Sequence, residues 1–175
     1  MSKVLIVGGV SGCGKSTVGK ELAEMLALSG WQTRFIEGDD WHPTSNKNKM
    51  SAGIPLNDDD RKPWLESLAI EIRRTSAELE GTKGLVIASC SSLKKAYRDI
   101  LREPRNISLQ FILLNVDRDE LEARMRKRQN HFMPASLLDS QLATLELPDP
   151  VIEPDVLIIN VRNEDPIKAA AALLR

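Results

Sequence analysis

Nine consecutive residues carry the clearest chemistry in this chain: Gly9-Val10-Ser11-Gly12-Cys13-Gly14-Lys15-Ser16-Thr17. The first eight fit G-x-x-x-x-G-K-[ST], a loop that binds phosphate through its backbone. Gly9, Gly12 and Gly14 let the chain curl so that successive N–H groups point inward at phosphate oxygens. A helical pattern follows, and its N-terminus adds partial positive charge. Lys15 is placed to reach the β- and γ-phosphates, and the Ser16 hydroxyl to ligate Mg²⁺. The implied ligand is a nucleoside triphosphate, which leaves open what accepts the phosphate.

Further chemistry gathers where apolar runs end. Glu37-Gly38-Asp39-Asp40-Trp41-His42-Pro43 closes the second run. Carboxylates beside a phosphate loop suit two tasks: one orients or deprotonates an acceptor hydroxyl, the other holds Mg²⁺. No Asp closes the third run, so the metal's carboxylate is expected from Glu37 or Asp39. His42 can contact substrate or bond the loop backbone. Lys94 and Arg98 stand four apart, on one helix face, and could take an anionic substrate or form a solvated face. Arg124 and Arg128 have the same spacing and read as a lid that adds charge at phosphoryl transfer, or as a solvated basic helix. Cys13 lies before a helix N-terminus, with Lys15 two residues on. It is either a thiolate-prone group that bound nucleotide would cover or a small filler.

These residues need a scaffold. Runs 3–8, 33–37, 84–89, 108–115 and 154–161 are apolar enough for strands buried on both faces. Helical patterns alternate with them, which signals a parallel α/β sheet. Ligands of such sheets bind beyond the carboxyl ends of the strands, where the residues above cluster. Helices are expected from Lys15, from the Asp58-Asp59-Asp60 cluster, after the third run with Leu93, Tyr97, Ile100 and Leu101 on its face, from Asp117, from Pro134 to about 144, and around Ile167. Residues 39–57 read as irregular, broken by Pro43, Gly53 and Pro55. The 175 residues contain no repeat or linker, so one domain is expected over 1–175, with the lid at about 121–140. A net charge of -1 argues against nucleic-acid or anionic-membrane partners. The apolar runs are too short to span a membrane, and two cysteines make no disulfide framework, so a cytoplasmic setting is expected.

Several stretches together resemble the gluconokinases, P-loop kinases of sugar acids related to the shikimate kinases. Besides the phosphate loop they are Gly38–Pro43, Asn48-Lys49-Met50, Gly53–Leu65, Cys90–Arg102, His131-Phe132-Met133-Pro134, Leu137–Gln141 and Leu145-Glu146. The resemblance spans about residues 4–161. It implies a three-layer α/β/α P-loop NTPase fold with a helical lid and a five-stranded parallel sheet in the order 2-3-1-4-5. It implies ATP-dependent phosphorylation of D-gluconate at its 6-hydroxyl, with Mg²⁺, often in a homodimer. By position, Lys15, Asp39, Arg124 and Arg128 become catalytic candidates, and Ser16 and Glu37 the metal residues. Asp39, His42, Lys49, Arg61, Lys94, Arg98 and His131 become substrate candidates, with Arg61, Lys94 and Arg98 offered for the substrate carboxylate. Glu37 stands where Asp is usual, Asn130 replaces a Gly, and Leu142 replaces a Phe. Kinases of other small acids or polyols, and a non-catalytic ATP-sensing module, are the alternatives.

Overall fold

The computed structural model describes residues 2–103, 107–128 and 134–174. Its centre is β1 (Lys3–Gly8), whose KVLIVG sequence is buried from Val4 onward. β3 (Gly84–Ser89) flanks it on one side and β4 (Ser108–Asn115) on the other. β2 (Gln32–Glu37) and β5 (Val156–Asn160) form the edges, giving the order β2-β3-β1-β4-β5. Every pairing is parallel, with Lys3 opposite both Leu85 and Ser108. This is the expected order. The expectation that every strand is buried on both faces fails at β2, where Gln32 and Arg34 are exposed. An edge strand has sheet neighbours on one side only, and the apolarity of a run does not say which strand that will be.

Helices cover both faces in a three-layer α/β/α arrangement. α1 (Lys15–Leu28) buries Val18, Leu22, Ala23 and Leu26 and packs against α7 (Pro166–Leu173). α3 (Asp58–Glu78) packs against α4 (Lys95–Arg102). The start of α3 is fixed by a capping box: the Asn57 side chain accepts from Asp60 N–H at 2.8 Å, and Asp60 accepts from Asn57 N–H at 3.0 Å. Asp58, Asp59 and Asp60 occupy its first turn, where the helix dipole favours anions. α5 (Arg118–Lys127) and α6 (Ala135–Thr144) form the region expected as a lid.

Residues 39–57 are irregular only in part, chiefly after residue 51. A 3₁₀ turn (Gly38–Trp41) leads into α2 (Thr44–Ser51), with Pro43 at its N-cap and Gly53, at φ +72°, beyond its end. The breakers bound this helix instead of interrupting it. α2 escaped notice because its buried side chain is polar: Asn46 is 1% exposed and donates to the Asp60 carbonyl at 2.8 Å. Hydrophobic periodicity carries no trace of such a helix.

Candidate active site

The phosphate loop follows β1 directly. Gly9, Gly12 and Gly14 all take positive φ, and Gly14, at +99°, is the N-cap of α1. Residues with a Cβ rarely adopt that conformation, so glycine decides where the helix can begin. The loop is tied to the end of β3, since Gly9 N–H donates to the Ser91 carbonyl at 3.1 Å. A cavity of about 710 Å³ opens above it, lined among others by Ser16, Thr17, Asp39 and Arg128. Lys15 lines the same cavity, with its Nζ 3.1 Å from the Val10 carbonyl. The predicted loop, one strand-two carboxylate and Arg128 thus face one space.

Asp39 projects from the 3₁₀ turn, and Gly38 explains why the turn comes so close to the sheet. A Cβ on Gly38 would lie 1.9 Å from the Ser89 carbonyl oxygen, so only glycine fits. Gly38 N–H donates to Ser89 Oγ at 3.1 Å, and the Ser89 hydroxyl donates to Glu37. One Glu37 oxygen is therefore committed to the sheet, and the carboxylate lining the cavity is that of Asp39. The Asp39 side chain is 74% exposed. Surrounding protein pushes its carboxyl above the usual range, Lys15 pulls it down, and Glu37 and Asp40 add to the rise. Solvent at the carboxylate screens that rise.

His42 stacks on Trp64 with ring centroids 4.0 Å apart, and Trp64 Nε1 donates to the Gly38 carbonyl at 2.8 Å. The Asn46 amide donates to His42 Nδ1 at 3.2 Å, which leaves the proton on Nε2, 3.8 Å from Asp39. Burial, with Arg61 and Lys47 nearby, pushes the His42 pKa down to about 4. His42 is thus a neutral wall beside Asp39. Behind it lies a polar cluster in which Lys49 pairs with Asp60 at 2.8 Å and Lys94 with Asp58 at 3.0 Å. Tyr97 donates to Asp58 and accepts from Arg61 Nη1 at 3.3 Å. These partners hold the Asp58 carboxyl, through Tyr97 then Lys94, and the Asp60 carboxyl, through Lys49, below their ordinary range.

The fold has clear relatives. A model of the AAA domain family matches residues 5–134. Thermoresistant gluconokinase of Escherichia coli is 40% identical over 169 residues, covering 97% of this chain and 89% of the relative. The crystal structure of a gluconokinase from Sinorhizobium meliloti superposes with a TM-score of 0.78 at 42% identity, covering 98% of this chain and 91% of that one. An unliganded sugar kinase from Janibacter gives 0.82 at 38% identity, covering 99% and 95%. The chain belongs to the gluconokinase family.

Within this chain Arg98 and Cys13 are turned away from the cavity. Arg98 is 1% exposed and faces the interior. Its Nε and Nη2 bind Glu153 at 2.7 and 2.6 Å. Nη1 reaches the Ser92 and Leu93 carbonyls at 2.9 and 3.3 Å, and Nη2 also reaches Glu146 O at 3.3 Å. All five guanidinium protons are thereby spent, and none remains for a substrate carboxylate. Cys13 is also 1% exposed, with its sulfur 4.0 Å from the Gly8 carbonyl, so it fills the loop's underside rather than meeting the nucleotide. Cys90 is equally enclosed, and burial pushes its thiol up to about 12.

The two arginines expected on a lid both sit at the loop. Arg128 lines the cavity, and Arg124 Nη1 lies 3.2 Å from the Cys13 carbonyl while its Nε pairs with Glu120 at 2.8 Å. His131 and Asn130 lie outside the described residues. Leu142 packs against the core. Among the residues missed by sequence reasoning, Asn57 and Asp60 had a visible signal in their capping-box spacing. Tyr97 and Glu153 had none, because their partners are distant in the chain, and Asn46 had none beyond its four-residue spacing from His42.

Proposed function

We propose that this protein transfers the γ-phosphoryl group of ATP to the 6-hydroxyl of D-gluconate, giving 6-phospho-D-gluconate and ADP. The observation that carries the reading is the single cavity shared by Lys15, Ser16, Asp39 and Arg128 in a chain of this family. The loop amides and Lys15 hold the nucleotide's phosphates. Asp39 orients the acceptor hydroxyl in line and takes its proton as the new O–P bond forms. The bond between Pγ and the bridging oxygen breaks, and ADP leaves with the electron pair. Arg128 and Arg124 meet the charge spread over the transferring group.

The residues present fit Mg²⁺, which takes hard oxygen ligands and is bound by few protein groups together with substrate phosphates. Ser16 and Asp39 offer such oxygens on one cavity. Glu37 would act through its free oxygen. When bound, the ion neutralises phosphate charge. For the gluconate carboxylate, Arg61 is favoured over Lys49 and Lys94, whose ammonium groups are paired with Asp60 and Asp58. Arg61 donates from Nη1 alone among the described residues, to the Leu56 carbonyl at 2.6 Å and to Tyr97, so its Nε and Nη2 edge remains for a bidentate pair. His42 and His131 complete the proposed acceptor side.

Coupled ADP release across a panel of aldonates, polyols and neutral sugars tests the reading. A site that leaves buried cations unpaired when a neutral sugar binds discriminates by a factor of about 10⁴. Gluconate is expected to win over glucose by that order, and comparable kcat/KM values would overturn it. No described helix is long and apolar enough to cross a membrane. A cytoplasmic homodimer, one domain over 1–175 with its lid at about 121–140, completes the proposal, and light scattering reads its mass.

A further inference from the structure

One contact crosses from the lid region to the phosphate loop. The Ser11 amide donates to Gln141 Oε1 at 2.7 Å, and Gln141 Nε2 lies 3.1 Å from Ser11 Oγ. A backbone N–H can only donate, so the Gln141 atom facing it is the carbonyl oxygen. The amide nitrogen must then face the hydroxyl, and an NH₂ can only donate. Ser11 Oγ is therefore an acceptor towards Gln141, and its own proton points elsewhere. Among the described residues no other partner takes that proton, and Ser11 lines the cavity.

Gln141 is held firmly enough to impose this. It lies on α6 one turn after Leu137, which lines the same cavity. Arg118 on α5 pairs with Asp139 on α6. Just past α6, Glu146 N–H donates to the Leu93 carbonyl at 2.8 Å. The helix is thus tied at its middle and just past its C-terminus.

We propose that the Ser11 hydroxyl is a hydrogen-bond donor to the γ-phosphoryl group of the bound nucleotide, and that Gln141 is the positioning residue that aims it. This rests on the proposed phosphoryl transfer only for its effect on turnover. The bond is made to an ATP oxygen that ADP lacks, so it also shows in binding. Gln141→Glu is the sharpest probe. A carboxylate still accepts from Ser11 N–H, but its second oxygen also accepts, which turns the Ser11 proton away from the cavity.

The test uses the whole protein as parent, Ser11→Ala, Ser11→Thr, Gln141→Glu and the Ser11→Ala/Gln141→Glu double variant. Titration calorimetry gives the ratio of ADP to ATP dissociation constants, steady-state kinetics gives kcat with gluconate, and thermal melts check folding. A hydrogen bond to a charged group is worth roughly tenfold or more. Ser11→Ala and Gln141→Glu should each erode the preference for ATP over ADP by about that factor and lower kcat at least as much. Ser11→Thr, which keeps a hydroxyl, should restore the ADP-to-ATP ratio relative to Ser11→Ala. The double variant should be no worse than either single one, because both remove the same bond. Either single variant retaining the parent's ratio, or losses that multiply in the double variant, overturns the proposal. A parent that binds ATP but releases no ADP with gluconate overturns the proposed reaction instead, and the ATP-to-ADP ratio still decides this inference.

Discussion

Glu153→Gln isolates what Arg98 does. In the parent, Arg98 and Glu153 are 1% and 3% exposed and share two hydrogen bonds of 2.7 and 2.6 Å, while Arg102 adds a third to Glu153 at 2.7 Å. The substitution leaves a buried guanidinium facing a neutral amide. Removing one partner of a buried ion pair costs about 3–5 kcal/mol, since the remaining charge stays desolvated. At about 2–4 °C per kcal/mol for a chain of this size, the melting temperature should fall by roughly 10 °C. The pair also anchors function indirectly. Arg98 holds the Ser92 and Leu93 carbonyls, and the neighbouring Ser91 carbonyl receives Gly9 N–H of the phosphate loop. The Arg98 ion pair, helped by Arg102, holds the Glu153 carboxyl down at about 2. Its stabilisation is therefore full above the ordinary carboxyl range near 4.5 and is lost as pH falls through about 2. Replacing both residues with leucine should recover only part of the loss, because three carbonyls lose a donor. The assay is thermal unfolding at neutral pH, with gluconate KM measured well below the melting point. A melting temperature within about 2 °C of the parent, with KM raised tenfold or more, would refute the structural role and return Arg98 to the substrate site.

The other expectations concern the cavity. Lys15→Ala should reduce ADP release to background with circular dichroism unchanged, because Lys15 makes one described hydrogen bond, to Val10, and contributes charge rather than packing. Asp39→Asn keeps the shape but removes the base, so kcat should fall by roughly 10²–10⁴ while ATP affinity holds; lost ATP affinity would assign Asp39 to the metal instead. Arg61→Gln should raise gluconate KM by roughly tenfold or more, as loss of a charged hydrogen bond does, with ATP KM unchanged. His42 stays neutral in the fold down to about 4, against an ordinary value of 6.5. Its contribution to stability is full above 6.5 and is lost as pH falls through about 4, so His42→Gln should flatten urea-unfolding free energies across that window.

What could be read from the chain, and what could not, divides along a physical line. The phosphate loop is legible because contiguous backbone does its work: three glycines, a lysine and a hydroxyl at fixed spacing need only a strand before and a helix after. The sheet is legible because buried parallel strands are short apolar runs. α2 is not, since Asn46 is buried for its hydrogen bonds and leaves no apolar stripe. The fate of each cation is the least legible feature. Lys94 and Arg98 share a spacing that invites a common role, yet Lys94 bonds Asp58 at the surface while Arg98 is sealed against Glu153, 55 positions away. Residue type and spacing state what a side chain can donate. Only the fold states how much of that capacity is already spent. Arg98, with all five protons committed, is a strut, whereas Arg61, whose Nε and Nη2 edge is uncommitted among the described residues, is the cation we propose for the carboxylate.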